Sequence, residues 1–438
     1  MFQIKSLGAC RFDSPLKKSL SAKGAHFSGF VNENDRILYN PRLDAFRNAI
    51  SRGMEDPISI ELAGPREKIF FDPTKTRAAI VTCGGLCPGL NNVIRTITFE
   101  LAYRYGVKDI LGIRYGFAGF VHKEFEPLKL TPENVENIHT SAGTILGSSR
   151  GLNETSQIVD YIEKNNINML FCIGGDGTLR GARDIALFAM LKGYPLAVVG
   201  VPKTIDNDIS YISRSFGFAS AVQAATYAIT AAHTESKGVY NGVGLVKLMG
   251  RYSGFIASET ALAVNDANFV LIPEVDFDID GKNGFMTHLF KRLERRHHAV
   301  IIVAEGAGQN FFDKEQLGQD ASGNKKLGDI GKLLKDEIAS FSKQSKIPAE
   351  TKYIDPSYMI RSTVANANDA MYCIQMAQAA VHAAMAGKTN LLIGHLHENF
   401  TNLPIDTAVS KRKTVDPSSP LWMNVLEATG QPVRMKNI

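Results

Sequence analysis

The sequence predicts an α/β protein: two Rossmann-like layers of mostly parallel sheet flanked by helices, preceded by an N-terminal extension. Three observations carry this expectation. From Thr76 onward, short apolar runs alternate with longer amphipathic stretches, the pattern of βαβ units. Several of those runs end in glycine-rich or acidic turns, where open α/β sheets build their sites. At 438 residues the chain is also long for one core, and about two or three domains are expected.

Residues 1 to about 75 are irregular and rich in Pro, Asp and Arg, and they read as an extension or cap. Strand-like runs then follow at AAIVT (78–82), DILGI (109–113), NMLFCI (168–173), LAVVGV (196–201), GVGLVKL (242–248), NFVLI (268–272), AVIIVAE (299–305) and NLLIGH (390–395). They are short and apolar, as strands buried on both faces must be. The segments NNVIRTITFELAYRYG, TSQIVDYIEKNN, LRGARDIALFAMLK, SAVQAATYAITAAHTE, KLGDIGKLLKDEIASFSKQ and NDAMYCIQMAQAAVHAAMAG between them have helical spacing.

Composition narrows the function. The chain is 44% hydrophobic and 21% charged, the balance of a soluble globular protein. A formal charge of +5 is mild, and the basic clusters at 291–292, 295–296 and 411–413 are short, so no nucleic-acid partner is expected. The N-terminus lacks a signal-peptide core and there is no run of about 18 apolar residues, so no membrane partner and a cytoplasmic location are expected. Five cysteines agree with a reducing compartment, and Cys83 and Cys87 lack the second ligand pair that zinc would need.

The chemistry gathers at strand ends. In FCIGGDGT (171–178) the glycines let the backbone bend and a ligand approach, and Asp176 follows the strand where an acid can hold Mg²⁺ beside phosphates. The helix-like stretch after Thr178 would turn its positive end toward the same anion. The plain alternative is an ordinary strand-to-helix turn. In TIDND (204–208) Asp206 suits a base for an alcohol and Asp208 a metal or positioning partner, although an Asx turn with exposed acids has the same look. Arg150, Arg251 and Arg361 lie in Gly- or Pro-marked loops after strand-like runs, where guanidinium groups suit phosphates; singly, each reads as a surface arginine. Glu305 in AEGAG could bond sugar hydroxyls or cap a helix.

The motifs GGLCPGLN, GTILGSSRG, GGDGT, PKTIDND, KLMGR, AEGAG and KYIDPSYMIR occur in this order from residue 84 to 361. Together they resemble the phosphofructokinase family, specifically its long-chain branch with plant and trypanosomatid enzymes, and the likeness covers nearly the whole chain. GGDGT alone also occurs in NAD and diacylglycerol kinases, which lack TIDND and MGR. The resemblance implies ATP-dependent phosphorylation of D-fructose 6-phosphate at its C1 hydroxyl, a step of glycolysis, by a homo-oligomer (dimer or tetramer). It implies that Gly84, Arg150, Gly151, Gly175, Asp176, Gly177 and Thr178 bind ATP, with Asp176 on Mg²⁺. Asp206 would deprotonate the sugar, supported by Thr204 and Ile205. Met249, Gly250, Arg251, Glu305, Tyr358, Met359, Ile360 and Arg361 would hold the sugar phosphate, and Arg150 and Arg251 would stabilise the transferring phosphoryl.

The domains implied are an extension (1–75), a mainly ATP-binding domain (76–240), a mainly sugar-phosphate-binding domain (241–400) and a C-terminal segment (401–438). The resemblance also groups the chain with allosteric enzymes. It departs from the short bacterial enzymes at Tyr358, where they carry histidine, and at Gly242, where they carry an arginine that reaches a neighbouring subunit's sugar phosphate. Lys352 is a candidate substitute for that arginine. The bacterial allosteric site does not carry over on these residues.

Two positions bear on the phosphoryl donor. Pyrophosphate users of the family typically have an aspartate where this chain has Gly177, and its side chain crowds and repels the ATP α-phosphate region. Lys203 points the other way, because pyrophosphate enzymes use that lysine on the donor. A lysine can swing aside and a carboxylate in the nucleotide slot cannot be ignored, so ATP is expected. The alternatives are a pyrophosphate-dependent fructose-6-phosphate 1-phosphotransferase, activity on sedoheptulose 7-phosphate, and an inactive regulatory paralogue that binds sugar phosphate. The last would call for a broken TIDND, GGDG or MGR, and all three are intact.

Overall fold

The computed structural model describes residues 2–17, 29–54, 57–151, 154–313, 318 and 326–437. In chain order the strands of its main sheets are β1 (Arg36–Leu38), β2 (Ser59–Leu62), β3 (Arg77–Thr82), β4 (Asp109–Ile113), β5 (Leu128–Lys129), β6 (Met169–Gly174), β7 (Ala197–Pro202), β8 (Gly242–Leu248), β9 (Phe269–Leu271), β10 (His298–Ala304), β11 (Glu350–Ile354), β12 (Leu391–Leu396) and β13 (Asn399–Pro404). The main helices are α1 (Leu90–Phe99), α2 (Thr155–Lys164), α3 (Asp176–Leu191), α4 (Phe218–Lys237), α5 (Phe255–Val264), α6 (Phe285–Arg296), α7 (Ile330–Ser345), α8 (Ser357–Arg361), α9 (Ala367–Met385) and α10 (Pro420–Thr429). No helix among the described residues is long and apolar enough to cross a membrane.

The chain forms two compact units. One comprises Met1–Thr204, Ile209–Gly217 and Val364–Lys411, and the other Ile205–Asp208, Phe218–Thr363 and Arg412–Ile438. The first unit holds a nine-stranded sheet in the order β1-β2-β13-β12-β7-β6-β3-β4-β5. Its five central strands, β12 through β4, are parallel, and antiparallel strands close both edges. Side chains alternate across the pleat, so Val81, Leu170, Cys172 and Val198 join Ile158 and Ile162 of α2 and Ile185 of α3 in one core. Helices α1 and α9 pack on each other, and α9 packs on β7. Burying both faces is what the continuous apolar runs require.

The second unit holds four parallel strands in the order β9-β10-β8-β11. Val243, Leu245, Ile301 and Val303 pack there against Phe285, Leu289 and Leu293 of α6 and Leu334 and Ile338 of α7. Full burial of such a side chain contributes about 1.5–3 kcal/mol, so both sheets are firm mounts for the loops at their ends.

The segment before residue 75 packs on the first unit: β1 and β2 extend the large sheet through β13, and Lys5–Ser6 pairs with Lys388–Thr389. Its residues 18–28 and 55–56 lie outside the described residues. The compact units are also not contiguous in sequence. Residues 364–411 belong with the first because β12 pairs with β7, and α4 belongs with the second because it packs on β8 and β10. Arg361 is in no loop; it ends the one-turn helix α8.

Candidate active site

In the first unit the sheet order fixes where a ligand can bind. From β3 the chain moves outward to β4, whereas from β6 it moves the other way to β7, so β3 and β6 flank a topological switch point. The loops there are tied together. Cys83 N–H donates to the Ile173 carbonyl (3.0 Å), Gly84 N–H to Ser149 (2.9 Å) and Lys203 N–H to Gly174 (3.0 Å). The Ser148 hydroxyl returns to the Gly84 carbonyl (2.6 Å), and Thr82 Oγ1 donates to Gly147 (2.7 Å). These bonds bring Gly84, Arg150, Gly151 and the 175–178 turn to one sheet end, with Arg150 exposed in its loop.

Lys203 is buried, and its ammonium donates to the Gly85 carbonyl. Gly175 caps α3, and Asp176 begins it with its carboxylate 3.2 Å from Arg180 Nε. Arg180 is held in turn by the Val409 carbonyl at 2.6 Å. No three His, Cys, Asp or Glu side chains cluster for a metal among the described residues. One half-buried carboxylate is what Mg²⁺ uses when phosphates and water supply the other oxygens, so Asp176 fits that role. Gly177 has no positive φ, and a Cβ built on it meets nothing within 4 Å. The fold does not require glycine at this position.

In the second unit Ile205–Asp208, the last four residues of TIDND, form a turn. Asn207 adopts a left-handed φ of 54°, a conformation that asparagine tolerates better than most residues. Asp206 is half-buried, and the Ser253 hydroxyl holds its carbonyl at 2.9 Å. The register sets Leu248 opposite Ala304, so the loops after β8 and β10 leave side by side. Glu305 N–H bonds Leu248 O (2.8 Å) and Gly306 N–H bonds Gly250 O (3.1 Å). Glycine is obligatory here: Gly250 has φ 128°, and a Cβ on Gly306 would lie 2.0 Å from the Arg251 carbonyl.

The electrostatics single out Asp206. Burial, then the charges of Asp208 and Glu305, push its carboxyl up to about 8, against the opposing Arg251 N–H and Arg412 charge. Burial also raises Glu305, opposed by Arg251 and Lys247. Lys247 bridges Asp329 (3.1 Å) and Asp355 (2.9 Å) and so anchors the start of α8. Tyr358 and Met359 stand 74% and 76% exposed on that helix, with the Arg361 guanidinium 4.7 Å from the Tyr358 ring centroid. Ile360 is buried, so its side chain serves packing. Lys352 is paired with Glu350 on β11. Sequence reasoning missed Lys247, Ser253 and Arg412, because nothing local marks which carboxylate or carbonyl each meets.

The family described as Phosphofructokinase matches residues 77–384. ATP-dependent 6-phosphofructokinase of Borreliella burgdorferi is 48% identical over 100% of this chain and 98% of its own. The enzyme of the same name from Trypanosoma brucei brucei is 44% identical over 99% and 88%. Pyrophosphate-dependent phosphofructokinase of Marinobacter aquaeolei superposes with a TM-score of 0.66 at 19% identity, covering 81% of this chain and 91% of that one, which is a likeness of fold. The sheets, the strand-end loops and these matches agree, and the chain belongs to the phosphofructokinase family.

Proposed function

We propose that this protein transfers the γ-phosphoryl group of ATP to the C1 hydroxyl of D-fructose 6-phosphate, yielding fructose 1,6-bisphosphate and ADP in glycolysis. The observation that carries the reading is Asp206, a half-buried carboxylate raised to about 8 on a turn braced by Ser253 and Arg412. A base with a pKa near the working pH takes a proton best in the transition state. The C1 oxygen bonds to the γ-phosphorus, its proton passes to Asp206, and the β–γ bridging P–O bond breaks to release ADP.

The residues of the first unit (Gly84, Arg150, Gly151 and Gly175 to Thr178) hold ATP in this reading. Those of the second (Met249, Gly250, Arg251, Glu305, Tyr358, Met359 and Arg361) hold the sugar phosphate, with Thr204 and Ile205 supporting the base. Ile360 contributes only through its main chain. Arg150 and Arg251 donate to charge developing on the transferring phosphoryl. Asp176 would hold Mg²⁺, which when bound neutralises the donor's phosphate oxygens. A cytoplasmic homo-oligomer, dimer or tetramer, completes the proposal.

Gly177 supports ATP as donor, since a glycine the fold does not require leaves room for a nucleotide. Lys203 favours the second reading, pyrophosphate, because its ammonium lies among the glycine loops. A coupled assay with ATP and pyrophosphate in parallel, in both directions, decides between them. Robust turnover with pyrophosphate and none with ATP would overturn the proposal.

A further inference from the structure

The reaction as drawn leaves the segment after β13 without a part, yet that segment grips the turn that carries the base. Arg412 Nη1 lies 3.2 Å from Asp208 Oδ2, and its guanidinium carbon lies 4.1 Å from the ring centroid of Tyr252, the residue after Arg251. Lys413 N–H donates to the Asp208 carbonyl at 2.9 Å. Its ammonium sits 5.0 Å from the Phe255 ring centroid, near the charges of Glu259 and Asp208. Two residues on, Val415 N–H donates to Glu274 Oε1 at 2.7 Å, and the same oxygen accepts Gly254 N–H at 2.9 Å. The strap 412–415 therefore pins both the TIDND turn and the chain just beyond MGR.

The turn needs such a brace. It belongs to no strand ladder, Asn207 within it is left-handed, and it carries two carboxylates two residues apart that repel one another. Asp208 is only 12% exposed; Arg412, itself 37% exposed, lies against both the carboxylate and an aromatic face. That sets the pair apart from a surface ion pair, in which both side chains stay mobile.

We propose that Arg412 is a positioning residue for phosphoryl transfer: through Asp208 and Tyr252 it holds Asp206 in the orientation from which the sugar proton is taken. This rests on the reading of Asp206 as the base. A small displacement of a reacting group costs up to about a hundredfold in rate, without weakening a substrate bound by other residues.

The test measures kcat, KM for ATP and melting temperature for the full-length wild type, Arg412→Gln, Arg412→Lys and Asp206→Ala. For Arg412→Gln we expect kcat about 10- to 100-fold lower, with KM for ATP within about twofold and melting unchanged. Arg412→Lys keeps the charge but loses the planar stack on Tyr252, so kcat should fall between, about three- to fivefold below wild type. Wild-type kcat in Arg412→Gln, a change confined to KM, or a loss seen only as lower melting temperature overturns the proposal. If Arg412→Gln does not fold, Arg412→Lys decides: a reduced kcat at unchanged KM for ATP supports the role, and wild-type kcat overturns it. Asp206→Ala separates the two claims. Loss of kcat there with none in Arg412→Gln removes only the positioning role, whereas wild-type kcat in Asp206→Ala removes the base and the positioning role together.

Discussion

Gly177→Asp separates the choice of donor from the stability of the fold. Gly177 is the second residue of α3, its φ is not positive, and a Cβ there meets no atom within 4 Å. Glycine inside a helix costs about 0.5–1 kcal/mol relative to alanine, and an acid in the first turn gains about 0.3–1 kcal/mol from the positive helix end. The variant should therefore melt at or slightly above the wild-type temperature. Its effect on the nucleotide is opposite. A carboxylate about 4 Å from a phosphate charge, at an effective dielectric near 20, costs about 4 kcal/mol. That is a factor of about a thousand in kcat/KM for ATP. The assay is kcat/KM for ATP at saturating fructose 6-phosphate, with pyrophosphate in parallel and a thermal melt of each protein. A kcat/KM for ATP within about tenfold of wild type would refute the charge argument. A clear loss of melting temperature would refute the open space around Gly177.

Three other expectations follow from the second unit. Asp206, raised to about 8, must be deprotonated to act, so kcat/KM should fall about tenfold per pH unit on going below that value; a flat profile between about pH 6 and 8 contradicts this. The same shift sets a pH-dependent stability. Because the folded-state pKa lies above the ordinary 3.8, stability is full below about pH 4 and is lost as the pH rises toward 8. Asp206→Asn should then melt a few degrees above wild type at about pH 8 and equal it near pH 4, as read by parallel thermal melts. Lys247→Met removes the ammonium that Asp329 and Asp355 share; both are about one-third exposed and Asp329 keeps Lys332 and Tyr353 while Asp355 keeps Ser357, so the cost should be roughly 1 kcal/mol in urea unfolding, and no loss would remove Lys247 as the anchor of α8.

The sheets were legible wherever apolar runs were continuous. The eight runs read from sequence are all strands, within a residue or two at each end, because burial on both faces leaves no other composition open to them. The edges were not. Asn399–Pro404 reads as polar and ends in proline, and it is a strand only because a two-residue turn returns it along β12. That turn is His397-Glu398, both with positive φ, where a hairpin signal would be Asn-Gly. Glu350–Ile354 lacks an apolar run because its side chains stay partly exposed at the edge of the smaller sheet. Of the candidate site, Asp176, Asp206 and Arg251 stood out as charged residue types that strand ends do not need for packing. The grip of Arg412 on Asp208 spans 204 residues of sequence, and no local spacing carries it.

The base assignment is tested most directly by kcat for Asp206→Ser with ATP and fructose 6-phosphate, both saturating. Removing a general base should lower kcat by about 10² to 10⁴ while KM for ATP stays within about twofold. A kcat within twofold of wild type would contradict Asp206 as the base, and with it the proposed mechanism.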